Sequence, residues 1–217
     1  INERARSYLA TLGAIARQEI LRSDIPYEDK VAILAKELTF YPAFEAFGIC
    51  DMTGHAWLTD GGYFDIADRQ YYRSAISGKP FVSEPLPSRA NQALYVFFSV
   101  PIYDDNKNII GVLYARVDGT GLSSIISDII IGKTGDCYVI DRKGTTIGDA
   151  DLEVVNSQEN SNEKAKTDPS FAGIAAFEKK AIESSKPDVG YFTWEHEMQI
   201  ASFGIIDYTG WRVIVSA

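Results

Sequence analysis

The chain has 217 residues, of which 46% are hydrophobic, and a formal net charge of −9. That apolar fraction excludes disorder over most of the length. The acidic balance argues against nucleic acid as a partner, since phosphate binding needs a basic patch, and against lying flat on an anionic membrane.

Residues 1–22 set apolar groups at Ala5, Tyr8, Leu9, Leu12, Ile15, Ala16 and Ile20. This is helical spacing, with one stripe for a partner surface. After a polar break, "SDIPYEDKVAILAKELTFY" restarts a helix: Pro26 suits a first turn, Glu28 and Asp29 stand close behind it, and Tyr27, Val31, Leu34 and Leu38 keep the stripe. Residues 1–40 read as helix, break, helix.

β-rich sequence follows. "FEAFGICDMTGHAWLTDG" reads as strand, turn, strand, with the turn at Asp51–Gly54. "YVFFSVPIYDDNKNIIGVLYARVD" reads as a long hairpin turning at Asp104–Asn108, and Pro101 marks a bulge or an edge in its first strand. "LSSIISDIIIG" reads as a helix leading out.

The pattern then recurs. "ICDMTGHAWL" has a counterpart in "VIDRKGTTIG", each with an aspartate three residues before a glycine: Asp51 and Gly54, Asp141 and Gly144. "PIYDDNKNIIGVLYARV" has a looser one in "FGIIDYTGWRVIVS". Residues 149–166 are polar and read as a loop. "TDPSFAGIAAFEKKAIESS" reads as a helix capped by Asp168, with Pro169 in its first turn. The economical architecture is α+β: N-terminal helices at 1–40, then two similar units with antiparallel sheets in series, 41–125 and 126–217.

No enzyme signature stands out. The two histidines, His55 and His196, fall in predicted turns without metal-ligand spacing, so no metal is expected. "GKTG" at 132–135 would need a glycine at 127 to complete a phosphate loop, and Ser127 stands there. There is no Gly-x-Ser-x-Gly elbow and no marked carboxylate pair. Cys50 and Cys137, each in a strand-like stretch, read as buried free thiols, with a disulfide between them the alternative, which no spacing pattern supports. No apolar run reaches the roughly 18 residues of a membrane span, no signal peptide is seen, and the chain reads as a fragment of a larger protein.

A binding pocket has better support. "DRQYYRSAISGKPFVSEP", residues 68–85, places Arg69, Tyr71 and Tyr72 at the head of a short helix before a strand carrying Ser83. Aromatics crowd the same half: Trp57, Tyr63, Phe64, Tyr95, Phe97 and Phe98. Tyrosines enclose small polar ligands well, and a guanidinium forks onto a carboxylate. Asp118, at the end of a strand, could accept from an amine or ring N–H. The candidate lining is Arg69, Tyr71, Tyr72, Asp118, Trp57, Ser83, Tyr95 and Phe97. The plainer alternative pairs Arg69 with Asp65 or Asp68 and lets the tyrosines pack.

That stretch, followed by "VPIYDDNKNIIGVLYARVDGTGLSSII" and "IGKTGDCYVIDRKGTTI", resembles the double Cache sensor family over nearly the whole chain. The resemblance implies an extracytoplasmic sensor of a bacterial or archaeal transmembrane receptor: a chemoreceptor, sensor kinase or diguanylate cyclase, membrane-anchored and working as a homodimer. It implies a long N-terminal helix beside two PAS-like units, with a small molecule in the membrane-distal first unit and no cofactor. Amino-acid-binding members carry an arginine, one residue, then Trp-Tyr, with a later tyrosine and a strand-end aspartate. Arg69, Tyr71, Tyr72 and Asp118 match in part. Tyr71 stands where tryptophan is commoner, Phe64 where they carry tyrosine, and "LPSRANQ" lacks their usual aromatic. The ligand class therefore stays open among carboxylate, amino-acid-like and nucleobase-like molecules. A secreted enzyme, or a domain reading a periplasmic binding protein, are the alternatives. The second unit, with fewer convergent polar and aromatic groups, is expected to relay rather than bind.

Overall fold

The amphipathic stripe of the first segment folds as α1 (Asn2–Ala16), burying Ala5, Leu9, Leu12, Ile15 and Ala16. The structure, a computed structural model, describes residues 2–127, 129, 131, 135–194 and 197–217. The first helix does not run on to residue 22. It stops and resumes as the single turn α2 (Glu19–Arg22), with Gln18 extended between them. The break shifts the helical register, so Leu21 is buried and Ile20, which a continuous stripe would bury, is exposed. After Pro26 comes α3 (Tyr27–Leu38).

The chain divides into two compact units, Glu3–Gly119 and Thr120–Ala217. The first carries β1 (Ala46–Cys50), β2 (His55–Leu58), β3 (Tyr63–Asp65), α4 (Gln70–Ile76), β4 (Phe81–Val82), β5 (Leu86–Pro87), β6 (Leu94–Tyr103) and β7 (Ile109–Asp118). Every pairing is antiparallel, in the order β3-β2-β1-β7-β6-β4, with β5 also on β6. Pro101 sits past the residues that pair with β4, on an edge, and a register shift follows between Ile102 and Tyr103.

The second unit carries α5 (Ser123–Ile126), β8 (Asp136–Ile140), β9 (Thr146–Gly148), α6 (Leu152–Asn156), α7 (Ser161–Lys164), a 3₁₀ turn Pro169–Phe171, α8 (Ala172–Glu183), β10 (Asp188–Trp194), β11 (Glu197–Ile206) and β12 (Trp211–Ser216). Its sheet is antiparallel throughout, ordered β10-β11-β12-β8-β9. The repeat read in the sequence is a repeat of topology: β2-β1-β7-β6 corresponds to β9-β8-β12-β11. It extends to the turns. One oxygen of Asp51 accepts from the backbone N–H of Thr53, Gly54 and His55, while one of Asp141 accepts from Lys143 and Thr145. Gly54 and Gly144 both have positive φ, +102° and +85°, a conformation glycine adopts without a Cβ penalty.

Residues 149–166 are not a loop throughout. They contain α6 and α7, begun by Asp151 and Asn160, whose side chains accept from the first-turn N–H groups. Both helices are too short, at five and four residues, for an apolar stripe to be read. His196 and residues 132–134 of the "GKTG" stretch lie outside the described residues, as do positions 128 and 130 of the expected helix that α5 begins. Cys50 and Cys137 are buried and unpaired, and burial pushes both thiols up from their ordinary pKa. Among the described residues no helix is long and apolar enough to cross a membrane, and no group of three or more His, Cys, Asp or Glu could hold a metal ion.

Candidate functional site

Successive strand residues point to opposite sheet faces, so register decides which side chains meet. In the first unit β7 pairs Tyr114 with Gly48 and Ser99, Arg116 with Ala46 and Phe97, and Asp118 with Tyr95. These residues share the face that packs against α4. There Tyr71, Phe97 and Tyr114 are buried with Cys50, Ala56, Leu58 and Val112. The Tyr71 ring lies flat on Phe97, centroids 4.6 Å apart, and tilts against Tyr114 at 5.5 Å. Tyr95 meets Phe97 edge-on at 6.5 Å. Burial holds the hydroxyls of Tyr71 and Tyr114 protonated far above neutrality.

Arg69 is the extended residue before α4. It does not pair with Asp68 or Asp65 as the plainer alternative had it. Asp68 is taken by Arg89, whose Nη2 donates to both carboxylate oxygens at 2.7 and 2.8 Å, and whose Nη1 donates to the Asp65 carbonyl. Arg69 instead donates from Nη2 to the Pro87 carbonyl at 3.3 Å, and its Nε is buried without a partner. These two arginines tie the segment 86–92 over the start of α4.

Sequence reasoning missed Arg116. It is 5% exposed, donates to Asp60, and sets its guanidinium 4.6 Å from the centroid of the Tyr95 ring. Its Nε and Nη1 are buried and unpartnered. The available signal was a lone charge inside the apolar run "IIGVLYARVD", with the same parity as Tyr114.

Not every predicted residue gathers here. Trp57 points to the opposite face, where it stacks on Tyr27 of α3 at 4.2 Å. The Tyr72 hydroxyl donates to the Asp51 carbonyl at 3.3 Å, and burial pushes its pKa up to about 12. Ser83 is buried, its Oγ donating to the Glu84 carbonyl and accepting from the Phe97 N–H, both internal uses. Asp118 lies on the right face but at its exposed end. Tyr71, Tyr95 and Phe97 do come together, joined by Arg116 and Tyr114, and the charge of Arg69 acts on the Tyr71 hydroxyl. A groove of about 840 Å³ lies elsewhere in this unit, between α1 and the β6–β7 turn. It is open to solvent, and its Arg22 and Asp105 already pair.

The family profile of the Cache domain, dCache_1, matches residues 1–217. No curated protein matches the chain. Among solved structures, the ligand-binding domain of Mlp24 with asparagine is 17% identical, with a TM-score of 0.71 over 99% of this chain and 85% of that one. The extracellular domain of rpHK1S-Z16, designated a histidine kinase, is 14% identical, with a TM-score of 0.74 over 99% and 87%. The ligand-binding domain of the Pseudomonas aeruginosa PAO1 amino-acid chemoreceptor PctC in complex with GABA is 15% identical, with a TM-score of 0.73 over 98% and 91%. At these identities the likeness is one of fold.

Proposed function

The chain belongs to the Cache domain family across its whole length, and from that membership we propose that it is the extracytoplasmic sensor domain of a membrane-anchored, homodimeric signalling receptor, binding a small carboxylate in the unit Glu3–Gly119. One observation carries the ligand class. Arg116 holds two buried guanidinium nitrogens without a partner and Arg69 one; Arg116 lies over the Tyr95 ring, and the charge of Arg69 acts on the Tyr71 hydroxyl. A buried donor left unmade costs about 1–3 kcal/mol, more when charged. A carboxylate arriving beneath the 86–92 segment would accept from these donors, with the aromatic rings around its apolar body. Asparagine and GABA, named in two structures of like fold, share such a carboxylate. Asp118, at the exposed end of the same face, would accept from an amine on an amino-acid-like ligand.

The deciding experiment is a thermal-shift screen of this chain against neutral, cationic and carboxylate metabolites. A ligand bound only by the folded state raises Tm by mass action. Carboxylates should shift Tm, and the shift should vanish in Arg69→Ala. A screen in which no carboxylate shifts Tm, or in which the shift survives Arg69→Ala, would reject this reading.

A further inference from the structure

The second unit has a cavity of its own, about 380 Å³, which the reading above does not use. It lies between α8 and the sheet face carrying Tyr138 (β8), Phe192 and Trp194 (β10) and Gln199 (β11); register puts these four on one side. Glu178 and Ile174 of α8 form the opposite wall. The volume is within the range of small-molecule sites, roughly 300–1,000 Å³.

Gln199 Oε1 is buried with no partner. Glu178, 1% exposed, has one oxygen served by the Ser161 hydroxyl at 3.1 Å, and the Tyr138 hydroxyl stands beside it, though neither that hydroxyl nor Oε2 makes an aligned hydrogen bond. With Glu178 ionised, Oε2 and the amide oxygen can only accept, so the partner they have room for is a donor. Charge says the same. Asp136, Asp149, Asp151, Glu159 and Glu178 all line the cavity, and among the described residues no Lys or Arg does. Lys164 is held by Glu159 and sits 4.8 Å over the ring of Phe171. Burial raises the Glu178 carboxyl to about 7 and, with its carboxylate neighbours, Asp149 to about 6. The lining thus gathers carboxylates that no Lys or Arg among its described residues offsets. The carboxylates are not grouped as metal ligands among the described residues, whereas Phe192 and Trp194 add aromatic rings, which attract organic cations.

We propose that this cavity is a second ligand site, for a small organic ammonium cation. Its N–H groups would donate to Glu178 Oε2 and Gln199 Oε1, with its apolar body against Phe192 and Trp194. This departs from the sequence expectation that the second unit only relays, and it is independent of the carboxylate site in the first.

Calorimetry on the chain at pH 8, with butylamine, 1,4-diaminobutane and the neutral isostere 1-butanol, tests it. An amine should bind once per chain and 1-butanol should not. Glu178→Gln should weaken the amine at least tenfold and Trp194→Ala several-fold, while Arg69→Ala should leave it within twofold. If Glu178→Gln does not fold, Trp194→Ala and Gln199→Ala decide. The proposal is overturned if neither amine binds, if 1-butanol binds equally, if the second-unit variants change nothing, or if Arg69→Ala abolishes amine binding.

Discussion

Tyr71 and Phe97 lie stacked, their ring planes 2° from parallel and their centroids 4.6 Å apart, and so lock the first turn of α4 to the centre of β6. Removing the ring opens a cavity in the core of the first unit. Tyr71→Ala should cost about 3–4 kcal/mol, from lost transfer energy, the cavity and the stacking contact. Tyr71→Phe should stay within about 1 kcal/mol of the parent. Urea unfolding of the three proteins checks the order; an alanine variant as stable as the parent would show that the stack contributes nothing.

Arg69 should separate binding from stability. Its contacts are one long hydrogen bond to Pro87 and an unmade one at Nε, so Arg69→Ala should change Tm little. It should weaken a bound carboxylate by about 1.5–3 kcal/mol, the range for a charge-assisted bond. Arg69→Lys should rescue only part, because an ammonium cannot fork onto two oxygens. Titration of the carboxylate identified by screening gives all three affinities; full rescue by lysine would mean a simple point charge suffices.

Arg89 should control access. Its pair with Asp68 is exposed, at 35% and 61% for the two side chains, and such pairs add under about 1 kcal/mol to stability. Arg89→Ala should leave the unfolding midpoint unchanged yet free the 86–92 segment. Limited proteolysis should cut there several-fold faster, and the bound ligand should dissociate faster in stopped flow. Identical cleavage in parent and variant would mean other contacts hold the segment.

Glu178 predicts a pH dependence. Its carboxyl titrates near 7 folded, raised by burial, against an ordinary 4.5 unfolded. Between those values the folded chain holds a proton that the unfolded chain has released. Unliganded stability should therefore fall as pH rises from about 4.5 to 7, by at most about 3 kcal/mol from this group. Asp149, raised from 3.8 to about 6, acts in the same direction over a lower window. Thermal unfolding at pH 5 and pH 8 should show the loss, and Glu178→Gln should remove most of it. An equally steep profile in that variant would place the titration elsewhere.

What could be read from the sequence was what short-range chemistry determines. The Asp51–Gly54 and Asp141–Gly144 turns were legible because one carboxylate and one glycine organise each locally. The β6–β7 hairpin was legible from its two apolar runs. Tyr71, Tyr95 and Phe97 were grouped by type, and their rings do meet. Arg116 was not, because only strand register reveals that a charge in an apolar run faces Phe97. Trp57 was placed with the others for the converse reason: its composition fitted, but its parity turns it to Tyr27. The second cavity was invisible because its walls come from positions 136 to 216, assembled by a sheet order in which β8 lies beside the last strand.

Arg212 of β12 turns its guanidinium onto the end of α8, donating to the carbonyls of Ala181 at 2.7 Å, Ile182 at 2.9 Å and Ser184 at 3.1 Å. These are the carbonyls a helix leaves unmade at its terminus. Closing them with one side chain from a strand makes helix and strand a single lever, hinged at a residue rather than at a stretch of backbone. Three hydrogen bonds from one strand side chain thus tie the helix that bears Glu178 to β12. Arg212→Ala would cut that tie at a single residue while leaving the helix and the strand their own sequences.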